Sequence, residues 1–194
     1  MDGIRGVIFD MDGTLVDSPL DFRRIREECG VPPDRPVLEH LESLGQAERR
    51  RVEAILARHE HRAASECTVR DGAAEVVAEL KERGYRTALL TRNSADSVRA
   101  VLERFPLALD CWVSREHACP KPSPEPVLRI ARSLELEPRE LLVVGDYLFD
   151  VQAGKAAGSR TAFLETGRDV SPPDPDCTIF DLNELLDVLP PLNR

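Results

Sequence analysis

A chain of 194 residues, 42% of them hydrophobic and 31% charged, suffices for one main domain with a sizeable core. Its net charge of -9, with the basic residues dispersed among acidic ones, argues against nucleic acid as a partner, because backbone phosphates need clustered Lys and Arg. No apolar run approaches a membrane span and Met1-Asp2-Gly3 opens no signal peptide, so a cytoplasmic address without a membrane partner is expected.

In chain order, residues 4–10 read as a buried strand ended by Asp-Gly turn chemistry. Charged helix formers then dominate to about residue 66. Leu20, Phe22, Ile25 and Cys29 predict one amphipathic helix, stopped by Gly30 and the Pro32-Pro33 pair. Val37, Leu38, Leu41 and Leu44 predict a second, ending at Gly45. Val52, Ile55, Leu56 and His59 predict a third within 46–65. No strand signal falls in this stretch, which reads as a helical insertion.

Beyond it, strands alternate with helices, the pattern of a parallel sheet. Helices are expected at 73–83, 96–104, 124–134, 151–157 and 182–189. Strands are expected at 85–90, 111–113, 141–144 and 161–164, with a short one at 178–180 after a Pro- and Asp-rich loop at 171–176. Cys29, Cys67, Cys111, Cys119 and Cys177 have neither disulfide-framework nor zinc-knuckle spacing and are expected to be reduced thiols. Without a long exposed apolar stripe, a monomer is expected.

Chemistry concentrates where strands end. Asp10 and Asp12 close the first strand with one residue between them, so strand alternation starts them on one side. Thr91 follows the strand at 85–90, Lys121 sits in Pro120-Lys121-Pro122-Ser123-Pro124, and Gly145-Asp146-Tyr147-Leu148-Phe149-Asp150 follows the strand at 141–144. Parallel strands point their carboxyl ends the same way, so these residues converge on one crevice. A carboxylate can attack a phosphoryl group, and a divalent cation with a lysine offsets the meeting of two anions. Blander roles stay open: Thr91 or Ser94 as a helix N-cap, Asp150 as N-cap of its helix, Lys121 as a solvated charge. Arg23, Arg24 and Arg26 read more as solvated surface than as substrate contacts.

The run Asp10-x-Asp12-Gly13-Thr14-Leu15-Val16-Asp17-Ser18 resembles the first motif of the haloacid dehalogenase superfamily. Thr91 resembles its second motif, Lys121 its third, and Gly145-Asp146 with Asp150 its fourth. The resemblance spans nearly the whole chain and points to the phosphoglycolate phosphatase-like branch with a short helical cap. It implies an α/β fold, a Rossmann-like three-layer sandwich with a parallel sheet of order 5-4-1-2-3. The catalytic core would comprise 1–18 and 69–194, and the cap 19–68. Asp10 would be the nucleophile and Asp12 the general acid/base. Mg²⁺ would be held by the side chains of Asp10 and Asp146 and the backbone carbonyl of Asp12, with Asp150 an outer or water-mediated partner. Thr91, Arg92, Asn93 and Lys121 would bind substrate. The activity implied is hydrolysis of a small phosphorylated metabolite, the second aspartate favouring phosphate over halide. A phosphomutase or a retired binding protein on the same fold are the rival readings.

Overall fold

The computed structural model describes residues 1–192 apart from 34, 169 and 171. Strand β1 (Gly6–Phe9) is buried along its whole length, as an apolar strand covered on both faces must be. It pairs in parallel with β4 (Arg86–Leu90) on one side and β6 (Leu141–Gly145) on the other. Adding β5 (Cys111–Val113), β7 (Arg160–Leu164) and β8 (Cys177–Ile179) gives the sheet order β5-β4-β1-β6-β7-β8.

Counted as parallel strands from the N-terminus, the first five run in the expected order 5-4-1-2-3, and β8 extends the sheet beside β7. The short strand expected at 178–180 is therefore real and displaced by one residue. Of the loop expected before it, residue 171 lies outside the described residues.

The period of two along each strand sorts side chains into two apolar layers. Val7, Phe9, Leu89, Leu142 and Val144 face α4 (Ala73–Glu82), α5 (Ala95–Arg104) and α8 (Glu184–Val188). Ile8, Ala88, Leu90, Leu141 and Val143 face α6 (Glu125–Leu134) and α7 (Leu148–Ala157). Burying each such aliphatic or aromatic side chain stabilises the sandwich by about 1.5–3 kcal/mol. The fold is thus a helix–sheet–helix sandwich, and its switch point lies between β1 and its neighbours β4 and β6, where the chain leaves towards opposite edges.

Two strands escaped the sequence pattern. β2 (Val16–Asp17) and β3 (Thr68–Val69) pair antiparallel and form a ribbon at the root of the helical insertion. Two residues carry no readable alternation, so only the tertiary meeting of the chain segments reveals them.

Between them stand α1 (Phe22–Cys29), α2 (Val37–Leu41) and α3 (Gln46–Glu66). Gly30 stops α1 in the left-handed conformation, φ 69°, and its N–H caps Arg26 and Glu27 carbonyls. Ile25, Cys29, Val31, Val37, Leu41, Val52 and Leu56 make a separate apolar cluster. Phe22, expected on the buried face, is 48% exposed instead. It is the first residue of α1, which leaves the cluster to begin at Ile25.

The far end of α3 does not belong to that cluster. Ala64 and Cys67 join the main core, and Arg104 of α5 donates to the Ala64 carbonyl at 2.5 Å. All five cysteines are free thiols. Among the described residues, no helix is long and apolar enough to cross a membrane.

Candidate active site

Asp10 leaves β1 with its N–H on the Val144 carbonyl (2.9 Å), which fixes it at the carboxyl edge of the sheet. Lys121 reaches the same edge from the loop after β5. Its Nζ donates to Asp10 Oδ1 (2.6 Å), to Asp150 Oδ1 (2.5 Å) and to the Leu90 carbonyl (3.1 Å). Burial works against the ammonium, yet Asp10 and Asp150 outweigh it and hold Lys121 charged above its ordinary value. Lys121 is therefore a buried, fully bonded cation rather than a solvated one.

Asp146 is completely buried, and neither of its oxygens has a well-formed hydrogen bond; Arg168 Nη1 lies 2.5 Å from Oδ2. Burial first, then the charge of Asp10, pushes its carboxyl up to about 6. Asp10, Asp146 and Asp150 each offer an oxygen within 4.8 Å of the others. Three carboxylates thus face one ammonium and the Arg168 guanidinium. A buried carboxylate without a well-formed hydrogen bond and an excess of negative charge are what a small, hard, divalent cation with oxygen ligands relieves. The residues present fit Mg²⁺.

Two glycines make this packing possible. Gly13 has φ +86°, and a Cβ there would overlap the Asp146 carboxylate. A Cβ on Gly145 would overlap the side chain of Asp150. Any larger residue at either position would push a carboxylate out of the cluster.

Asp12 stands apart from these three. Its Oδ2 accepts from Asn93 Nδ2 at 2.6 Å. Burial, reinforced by the charge of Asp10, raises its carboxyl to about 7, against opposing hydrogen bonds from Ser18 and Asn93. Two aspartates with one residue between them therefore differ in setting: Asp10 is bonded to an ammonium, while Asp12 is buried against an amide with its carboxyl raised. That division suits an attacking carboxylate beside a proton donor.

Thr91 ends β4 with its N–H on the Val113 carbonyl (3.0 Å), and its hydroxyl accepts the Asn93 N–H (3.1 Å). It does not cap α5; Ser94 does, accepting from the Ser97 N–H at 3.2 Å. Asp150 is not the N-cap of α7 either. It is the third residue of that helix, and its Oδ2 accepts the Tyr147 N–H (3.1 Å) while Oδ1 binds Lys121. Tyr147 stacks edge-on against Phe149, with ring centroids 5.0 Å apart. Arg23 and Arg24 pair with Glu27 and Glu28 on the exposed face of α1.

The insertion contributes residues to this site that the sequence did not announce. Arg92, next to Thr91, is gripped by both oxygens of Glu39 from α2 (2.9 and 2.8 Å). It also donates to the Lys121 carbonyl and lies 4.7 Å from the Phe149 ring centroid. Glu60 of α3, 2% exposed, pairs with Arg115 and accepts the Ser94 N–H at 3.2 Å. Arg115 in turn donates to the Arg92 and Asn93 carbonyls, each at 3.2 Å. One signal could have found Glu60: it continues the buried register Val52, Leu56 at a spacing of four. Glu39 and Arg168 carry no local signal.

Residues 4–158 match the haloacid dehalogenase-like hydrolase family. The chain is 31% identical to a haloacid dehalogenase-like hydrolase domain-containing protein of Arabidopsis thaliana, over 96% of this chain and 84% of that one. It is 28% identical to an N-acetylmuramic acid 6-phosphate phosphatase of Pseudomonas aeruginosa, over 96% of this chain and 95% of the other. A hydrolase from Pseudomonas syringae has the same fold, with a TM-score of 0.79 at 20% identity over 96% of this chain and 97% of that one. A match over most of the chain, on a sandwich whose strand ends gather Asp10, Thr91, Lys121 and Asp146, means that the chain belongs to the haloacid dehalogenase-like hydrolase family.

Proposed function

We propose that this hydrolase is a Mg²⁺-dependent phosphatase of small phosphorylated metabolites, acting through an aspartyl-phosphate on Asp10. The observation that carries the reading is the split between the two aspartates. Asp10 Oδ1 is 2.6 Å from Lys121 Nζ, whereas Asp12 is bonded to Asn93 and burial raises its carboxyl to about 7. The relative from Pseudomonas aeruginosa, named for a phosphomonoester substrate, supports the same class.

In this mechanism the Asp10 carboxylate attacks phosphorus while the bond to the leaving oxygen breaks. Asp12 gives that oxygen its proton. Asp12 then takes a proton from water as the water attacks phosphorus, which frees inorganic phosphate and restores Asp10. Lys121 orients Asp10 and offsets phosphate charge, and Thr91 offers its hydroxyl to a phosphate oxygen. Asp10, Asp146 and the main-chain carbonyl of Asp12 would hold the metal, with Asp150 an outer partner, and the metal would supply charge neutralisation for the phosphoryl group.

Residues 19–68 serve as a cap on a core formed by 1–18 and 69–194. Asn93 keeps Asp12 aligned, and Arg92 lies where the cap meets the core.

The test is kinetic. With p-nitrophenyl phosphate and Mg²⁺, Asp10→Asn abolishes turnover, while Asp12→Asn slows esters of poor leaving groups far more than this activated one. Undiminished turnover by Asp10→Asn would rule the nucleophile out. Release of inorganic phosphate, rather than an isomerised sugar phosphate, separates hydrolysis from a mutase.

A further inference from the structure

The substrate class can be narrowed from the way the insertion treats Arg92. Next to a phosphate site, an arginine is the residue expected to receive a second anionic group on the substrate. Here both terminal nitrogens of the guanidinium, Nη1 and Nη2, are engaged. Glu39 binds one with both oxygens, the Lys121 carbonyl takes another N–H, and Phe149 covers the face.

Beside this pair opens a cleft of about 1060 Å³ between α2–α3 and the loops after β4 and β5. Glu39, Ser94, Pro120 and Pro122 line it, so it borders the segments carrying Asn93 and Lys121 without containing Asp10. Its volume suits the organic part of a small metabolite. The arginines that line it are also spoken for. Arg49 pairs with Glu53 at 2.9 Å, and Arg115 pairs with buried Glu60. Glu42 stands on the insertion side and Asp96, itself paired with Arg99 at 2.7 Å, on the core side. With Glu39, Glu53 and Glu116 they outnumber the two arginines, so the leaving-group side is electronegative.

We infer that Glu39 is a specificity-determining residue that neutralises Arg92 and turns the site towards phosphomonoesters whose alcohol is uncharged or cationic, and away from esters bearing a second anion. The inference rests on the phosphatase reading. It gives the helical insertion a chemical role, in which a carboxylate on a short helix sets which leaving group the core accepts. Its energetic basis is differential. A carboxylate-bearing ester must either displace Glu39 from Arg92 or sit unpaired in a cleft that Glu42 also lines.

Three nearly isosteric esters test it: phosphoglycolate, ethylene glycol monophosphate and phosphoethanolamine, which end in a carboxylate, a hydroxyl and an ammonium. The wild-type protein with Mg²⁺ is expected to show kcat/KM for the hydroxyl and ammonium esters at least about tenfold above that for the carboxylate. Glu39→Gln frees Arg92 and is expected to raise the carboxylate-to-hydroxyl ratio about tenfold, chiefly through a lower KM for phosphoglycolate. Adding Arg92→Gln to Glu39→Gln is expected to return the ratio towards wild type, which a purely structural effect of Glu39 would not do.

A wild-type preference for phosphoglycolate, or a ratio unmoved by Glu39→Gln while all three esters turn over, would overturn the assignment and leave the phosphatase reading intact. Turnover of none of the three, nor of p-nitrophenyl phosphate, would overturn the phosphatase reading and this inference with it.

Discussion

Glu60→Gln isolates a charge that holds the insertion to the core. Glu60 is 2% exposed and pairs with Arg115, whose side chain is 16% exposed. Glutamine keeps a carbonyl for the Ser94 N–H, so the change removes the charge and the acceptor that faces Arg115. Breaking a buried pair from one side costs about 3–5 kcal/mol, because the remaining charge is left without compensation. Arg115 keeps its bond to the Arg92 carbonyl and has Glu116 at 3.8 Å, so the lower end of that range applies, about 3 kcal/mol. For a domain of this size the loss lowers Tm by about 6–12 °C. Urea unfolding read by circular dichroism measures the free energy, and a cycle with Arg115→Met isolates the pair. Arg115→Met in the Glu60→Gln background should cost far less than alone. A loss below about 0.5 kcal/mol, or strict additivity across the cycle, would refute the reasoning.

Gly13→Ala meets both a positive φ and the Asp146 carboxylate, and is expected to destabilise by about 1–3 kcal/mol and weaken Mg²⁺ binding, read by chemical unfolding and metal titration. Mg²⁺ at a hundredfold excess over its Kd should raise Tm by about 5–10 °C, and Asp146→Asn should abolish most of that rise; an equal rise in the variant would remove Asp146 from the metal site. Asp110 has its carboxyl lowered: burial opposes ionisation, but Lys81 at 2.5 Å, the Thr87 N–H at 2.8 Å and Arg86 outweigh it. It therefore stabilises the fold above its unfolded value of 3.8, and that stability is lost as pH falls from there through the lower folded value. Asp110→Asn should flatten the acid limb of stability against pH, and an unchanged limb would show that Asp110 is not its source.

The core of the fold was legible because its signals are local and periodic. Val7-Ile8-Phe9 alternates between two apolar layers, and Gly-Asp or Thr at strand ends marks the carboxyl edge. Asp10, Asp12, Thr91, Lys121 and Asp146 gather there because parallel strands share one direction. What escaped depends on tertiary meeting. Glu39 sits on a short helix whose polar face looks like any solvated surface, and only the fold brings Arg92 against it. Arg168 comes to Asp146 from the loop after β7. β2 and β3 are too short for a pattern, and Asp150 resembles a helix cap until Lys121 is seen on its carboxylate. The roles of Gly13 and Gly145 follow from side chains distant in sequence or turned back on the chain, which a Gly in a turn does not announce.

The central claim is that Asp10 carries the phosphoryl group. Rapid acid quenching during turnover of a phosphomonoester, followed by peptide mapping by mass spectrometry, tests it most directly. The account predicts an acyl-phosphate on the peptide bearing Asp10, accumulating in Asp12→Asn as its hydrolysis slows and absent from Asp10→Asn. Phosphate trapped on another residue, or steady turnover with no phosphorylated peptide in either the wild type or Asp12→Asn, would contradict it.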